Sequence, residues 1–136
     1  MNSKPSGNKA PGFVRNPGHR VDLVPEGRQR LRAVYHGVTV ADSGNVLIVK
    51  ETGYDPVPYF PRGDVRMELL ERSNHHSHCP FKGEASYWSL ASDSHRAENA
   101  AWSYEHPYDE MLGLKDYVAF YRSKVDIISS DPDAKG

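Results

Sequence analysis

Between residues 20 and 49 the chain is divided into short segments of alternating apolar and polar residues, each closed by a turn. That rhythm is the period of a half-buried strand, and its spacing selects a β fold. Residues 20–24 alternate and stop at Pro25-Glu26-Gly27. Residues 30–35 alternate again, with Leu31, Ala33 and Tyr35 on one face, and His36-Gly37 is a hairpin turn into 38–41. Asp42-Ser43-Gly44-Asn45 turns the chain into Val46-Leu47-Ile48-Val49, a strand apolar enough to be buried on both faces. Strands this short and close predict an antiparallel meander.

Further along, residues 52–64 hold Pro56, Pro58 and Pro61 with two glycines, and they predict an irregular, proline-stiffened loop. Strand-like content returns over 65–70, and 85–90 with 97–104 form a candidate pair around the polar turn Ser92-Asp93-Ser94. One short helix is expected over 109–117, with Pro107 before it and Asp109 and Glu110 at its positive end. Residues 118–121 and 125–127 close the domain as strands. Helices do not alternate with strands, so the class is mainly β (an α+β borderline case) and not an α/β sandwich. The expected organisation is a flexible arm over 1–17, a single β domain over 18–128 and a flexible tail over 129–136.

With 17 basic against 18 acidic residues in 136, no bulk field attracts nucleic acid or an anionic membrane. A single cysteine excludes an intrachain disulfide and fits a reducing compartment. Residues 1–12 lack the apolar run of a signal peptide, and the aliphatic run 46–49 is far too short to span a bilayer. The expectation is a soluble, cytoplasmic domain with neither nucleic acid nor membrane as partner. No signal for oligomeric state is legible.

Chemistry concentrates in the middle of the chain. His75-His76-Ser77-His78-Cys79-Pro80-Phe81-Lys82-Gly83 holds three of seven histidines and the only cysteine, and Glu98-Asn99-Ala100-Ala101-Trp102-Ser103-Tyr104 follows. Packing has little use for so many titratable groups side by side. A site is expected where the proline-rich loop meets these two stretches.

The same residues support a family resemblance. Val40-Ala41-Asp42-Ser43, Glu51-Thr52-Gly53, Tyr59-Phe60-Pro61-Arg62 with Asp64-Val65, the Cys79–Gly83 stretch, the Glu98–Tyr104 stretch and Ala119-Phe120-Tyr121 occur in this order. Together they resemble the domain-of-unknown-function 427 family over residues 16–128. The resemblance implies a β-tent-like fold of two splayed antiparallel sheets, and no established activity. The family also carries a nucleotidyltransferase label. That chemistry needs a Gly-Ser or Gly-Gly turn followed by paired carboxylates on magnesium. The one Asp-x-Asp here, Asp131-Pro132-Asp133, lies in the tail. Many β-tent relatives hold zinc through two pairs of cysteines, which a chain with Cys79 alone cannot do.

Three chemistries fit the residues. A small planar or anionic ligand would find aromatic walls in Tyr59, Tyr87, Trp102 and Tyr104 and cations in Arg62 and Lys82, with Asp64 and Glu98 completing the polar set. Arg62 could grip a carboxylate or phosphate with two donors, whereas Lys82 supplies a point charge. Against this, Arg62 and Asp64 could simply pair across their loop, and Trp102 could be core, as Phe120 and Ala101 are expected to be. The second chemistry is an enzyme with Cys79 as nucleophile, His78 as base and Glu51 orienting the base, Asp64 or Glu98 being alternatives to Glu51. Free cysteines are, however, most often small buried hydrophobes. The third is a protein-interaction module with a structural polar core. His75-x-x-His78 has a spacing zinc would accept, but His36, His95 and His106 offer no second pair, so neither a metal nor a cofactor is expected. Arg62-Gly63-Asp64 matches an integrin tripeptide by chance, and Lys115 and Arg122 read as solvated surface.

Overall fold

The computed structural model describes residues 7–92 and 94–129. Among these residues ten strands form two antiparallel sheets. They are β1 (Val21–Pro25), β2 (Leu31–Tyr35), β3 (Val38–Ser43), β4 (Leu47–Glu51), β5 (Val57–Pro61), β6 (Leu70–Cys79), β7 (Gly83–Ser92), β8 (His95–Ser103), β9 (Tyr117–Phe120) and β10 (Asp126–Ser129). The larger sheet runs β1-β4-β5-β9-β8-β7-β6 and the smaller β10-β2-β3. The mainly β class with two antiparallel sheets is the one the sequence leads to.

Local chemistry accounts for several elements. His36 and Gly37 both take positive φ, 47° and 78°, the backbone a two-residue hairpin needs to match strand twist. Leu31, Ala33 and Tyr35 are buried as expected. In the segment 46–49, Val46 and Ile48 pack into one apolar cluster and Leu47 and Val49 into the other, so it is apolar on both faces.

Pairing departs from the expected meander. β2 and β3 form a hairpin of the small sheet, while β1 pairs with β4 in the large one, Val21 opposite Glu51 and Pro25 opposite Leu47. Alternation selects strands but not their partners, which depend on which faces can be buried together. The expected loop at 52–64 also needs correction. Its second half is β5, central in the large sheet. β5 pairs with β4 through residues 57–59 and with β9 through 59–61, so Pro58 lies outside one ladder and Pro61 outside the other. Each proline can therefore lack its N–H without breaking the sheet.

Three further expectations shift. Residues 65–70 form a 3-10 turn, Met67–Leu69, before β6 begins at Leu70. The helix expected over 109–117 is a 3-10 segment, Asp109–Leu114, with Met111 off helical geometry, and Tyr117 already belongs to β9. Part of the expected arm, Pro11–Arg15, is a short helix, α1, docked on the turn between β6 and β7. The Gly12 amide donates to the Pro80 carbonyl at 2.9 Å, and a Cβ on Gly12 would stand 2.6 Å from the Phe81 ring, so only glycine fits. The expected tail falls on Ser129, in β10, and on residues 130–136, which lie outside the described residues together with Asp93.

The large sheet has two unlike faces. One packs against the small sheet through Phe60, Trp88, Leu90, Ala101, Val118 and Phe120. The other, bearing Tyr59, Tyr87, Tyr104 and Ala119, is partly roofed by Met111 and Leu114 of the 3-10 segment, with Phe13 and Phe81 at its edge.

Candidate functional site

The roof leaves a cavity of about 290 Å³ over the second face. Six aromatic side chains line it: Tyr54, Tyr59, Tyr87, Trp102, Tyr104 and Tyr121. Val49 and Val57 add apolar wall, and Glu51, Asp55 and Lys82 are its charged groups. Strand parity explains the collection. Val49 and Glu51 are two apart on β4, Val57 and Tyr59 on β5, and Trp102 and Tyr104 along and just beyond β8, so each pair projects to one side.

The charged end is held by elements far apart in sequence. Gly83, at φ +121°, begins β7 against the backbone of residues 106–108, and the Tyr108 amide donates to the Lys82 carbonyl at 3.0 Å. Lys82, only 7% exposed, donates through Nζ to Glu51 Oε1, and its Nζ lies 3.7 Å from Cys79 Sγ. The other Glu51 oxygen meets His19 Nε2 at 2.8 Å. His19 in turn stacks on Phe81, with ring centroids 3.9 Å apart. A buried ammonium is costly without a carboxylate, and Glu51 supplies it.

Aromatic hydroxyls differ in their satisfaction. Trp102 Nε1 donates to Tyr59 Oη at 3.0 Å, and Ser77 Oγ and Tyr87 Oη share a hydrogen bond of 2.8 Å. Tyr104, 7% exposed, has no hydrogen-bond partner for its hydroxyl among the described residues. Burial raises the phenol pKa of Tyr59 and Tyr104, so both remain protonated donors across the physiological range. Tyr121 is pushed up to about 12, again chiefly by burial.

Of the residues expected to bind ligand, the cavity unites Tyr59, Lys82, Trp102 and Tyr104, together with Glu51, which was expected to orient a catalytic base. Arg62, Asp64 and Glu98 lie elsewhere. Arg62 binds Glu105 at 2.9 Å and lies over the Trp88 ring at 5.3 Å, on the opposite side of the sheet. Arg72 makes two hydrogen bonds to the same carboxylate, and it holds the Glu105 pKa at about 2 despite the opposing cost of burial. Asp64 accepts from Ser43 Oγ at 2.6 Å, and exposed Glu98 is bound by Arg96. The alternation of Trp88 with Tyr87 separates these two aromatic settings by one residue of sequence.

The expected catalytic trio does not converge. Cys79 and Ser77 share one side of β6, and His78 takes the other side, where its Nε2 meets Tyr108 Oη at 2.6 Å. Glu51 is engaged by Lys82 and His19 and not by His78. The remaining histidines disperse as well. His75 packs on Tyr87, His76 lies 4.0 Å from Glu84, and His36 stacks on His95. Among the described residues no group of three or more His, Cys, Asp or Glu side chains is placed to hold a metal ion. Asp131 and Asp133 lie outside the described residues.

His19, Tyr54, Asp55 and Tyr121 are site residues that sequence reasoning missed. Tyr121 was the most accessible of them, since it stands two positions from Ala119, just beyond a strand whose neighbours supply the cavity. His19 had no signal, because its contact with Glu51 spans 32 residues.

Residues 23–131 match the family described as Domain of unknown function (DUF427). The protein belongs to the DUF427 family. Glu51, Tyr59, Lys82, Trp102 and Tyr104, all within the matched range, line the cavity. None of the curated proteins matches the DUF427 chain. No helix among the described residues is long and apolar enough to cross a membrane.

Proposed function

We propose that this DUF427 protein binds a small planar organic molecule in the aromatic cavity. The observation that carries the reading is a cavity walled by six aromatic rings, in which the Tyr104 hydroxyl has no hydrogen-bond partner among the described residues. Aromatic side chains at this density suit a flat ligand, and a hydroxyl that no protein group engages is free to donate to a ligand acceptor. A second cavity, of about 380 Å³ beside Tyr35, Val38 and Leu90, has no charged group in its wall and offers less to orient a ligand.

The test combines two measurements on the full chain. Native mass spectrometry of protein purified from cells reports any retained molecule, and saturation-transfer NMR screens flat pyrimidine, purine and indole fragments. The expected result is transfer to at least one fragment class that disappears in Val57→Trp, a substitution that fills the cavity, and persists in Arg72→Ala on the other face. An apo mass together with no transfer to any fragment would overturn the reading.

A further inference from the structure

The charge balance of the cavity says which class of ligand it suits, provided the reading just given holds. Among the described residues Lys82 is the sole cationic side chain in the wall, and it is already committed to Glu51. An anionic ligand recruiting Lys82 would have to draw it off that buried partner and leave Glu51 with His19 alone. Arg62, the other expected anion anchor, is held by Glu105 on the opposite face of the sheet. The wall therefore presents no free cation to an anion.

For a cation the situation is reversed. The lining carries Glu51 and Asp55 against Lys82, a formal balance of two negative charges to one positive. Asp55 has no hydrogen-bond or ion-pair partner among the described residues, and it adjoins Tyr54, whose 70% exposure puts an aromatic ring at the cavity mouth. Six aromatic rings border one small volume, and an aromatic face carries a negative quadrupole. Such faces attract ammonium groups, and the attraction grows when water is excluded. Tyr104 already has the Lys82 ammonium 5.9 Å from its ring centroid, an example of this contact within the wall itself.

We propose that the ligand of this cavity carries a positively charged nitrogen, an ammonium or quaternary ammonium group, received by the tyrosine and tryptophan faces with Asp55 at the entrance. Calorimetric titration of the full-length protein with three single-ring probes of different charge tests this: benzylammonium, benzyl alcohol and benzoate, at equal ionic strength. The expected order puts the cation roughly tenfold tighter than either of the others, the worth of one or two good cation–π contacts. Asp55→Asn, on the exposed loop, should lower the cation's affinity several-fold and leave benzyl alcohol unchanged. Equal affinity for the alcohol, or preference for benzoate, would overturn the charge inference while leaving an aromatic binding cavity standing. An Asp55→Asn protein with full cation affinity would overturn the part given to Asp55. No heat with any probe, alongside no fragment in the NMR screen, would bring down the cavity reading itself and this inference with it.

Discussion

The two faces of the seven-stranded sheet are built from the same strands by alternate residues, yet they solve different problems. Phe60, Trp88, Ala101 and Phe120 meet the small sheet, and the adjacent Tyr59, Tyr87, Trp102 and Ala119 turn to the other side. On the inner face the rings are mostly phenylalanine, the cavity beside Leu90 has no charged group in its wall, and the charges gather at the rim, where Arg62 and Arg72 lie over Trp88 and share Glu105. On the outer face nearly every ring bears a polar atom, an ion pair is buried, and the cavity wall carries charge. Close packing of plain hydrocarbon stabilises. Hydroxylated rings around an opening give up some of that stability, and the groups they present suit recognition better than cohesion.

Truncation on each face measures the contrast most directly. Phe60 is fully buried against Phe120, with centroids 5.7 Å apart, so Phe60→Ala should cost about 3–5 kcal/mol in denaturant unfolding. Trp102 is larger but only half-buried and borders space that is already open. Its replacement by alanine should cost about 2 kcal/mol, much of it the lost contact with Tyr59 and Tyr121. Equal costs would mean that the outer face is packed shut in solution, and the distinction between the faces would disappear.

The buried ion pair gives the next largest effect. Glu51→Gln removes the counter-charge of Lys82 while keeping side-chain volume, and stranding a buried ammonium should cost on the order of 3 kcal/mol. The double variant Glu51→Gln with Lys82→Met should recover most of that loss, because the penalty lies in the unpaired charge and not in the missing attraction. A double variant no more stable than the single would place the cost in the His19 contact instead.

Much of this contrast was legible before any contact was known. Alternation located β1, β2 and β3, and His36-Gly37 declared its own turn, since both depend on neighbours in sequence. Tyr59, Lys82, Trp102 and Tyr104 stood out as residues whose chemistry exceeds what packing requires, and they do share one cavity. What escaped was set by distant contacts. β5 reads as a loop because prolines normally exclude a central strand, and only the offset of its two ladders makes Pro58 and Pro61 tolerable. Pro11–Arg15 lacks any periodic signal and is held by the fit of Gly12 against Phe81. Arg62 resembled an anion anchor because its partner Glu105 lies 43 residues away. Arg62 opens the 3-10 turn that follows β5, so its side of the sheet cannot be read until that strand is recognised.

The rim of the inner face supplies the smallest effect and the cleanest sign. Arg72 and Arg62 depress the Glu105 pKa from an ordinary 4.5 to about 2. A carboxyl depressed on folding binds its proton more readily in the unfolded chain. Its contribution is therefore complete above pH 4.5 and is lost as the pH falls from there to about 2. Exposed carboxylates such as Glu26, Glu68 and Glu98 are also lowered and add a similar slope, so the informative quantity is a difference between variants. Glu105→Gln should lower the unfolding midpoint at pH 7 by an amount worth about 1 kcal/mol or less, since Arg72 is half exposed and screened by water. That gap should narrow steadily between pH 4.5 and 2, where the wild-type carboxylate takes up its proton. Thermal melts of the two proteins across this range give the answer. Curves that stay parallel would mean that the two guanidinium groups do not hold Glu105 in solution, and the inner face would then lose the charged rim that distinguishes it from the cavity side.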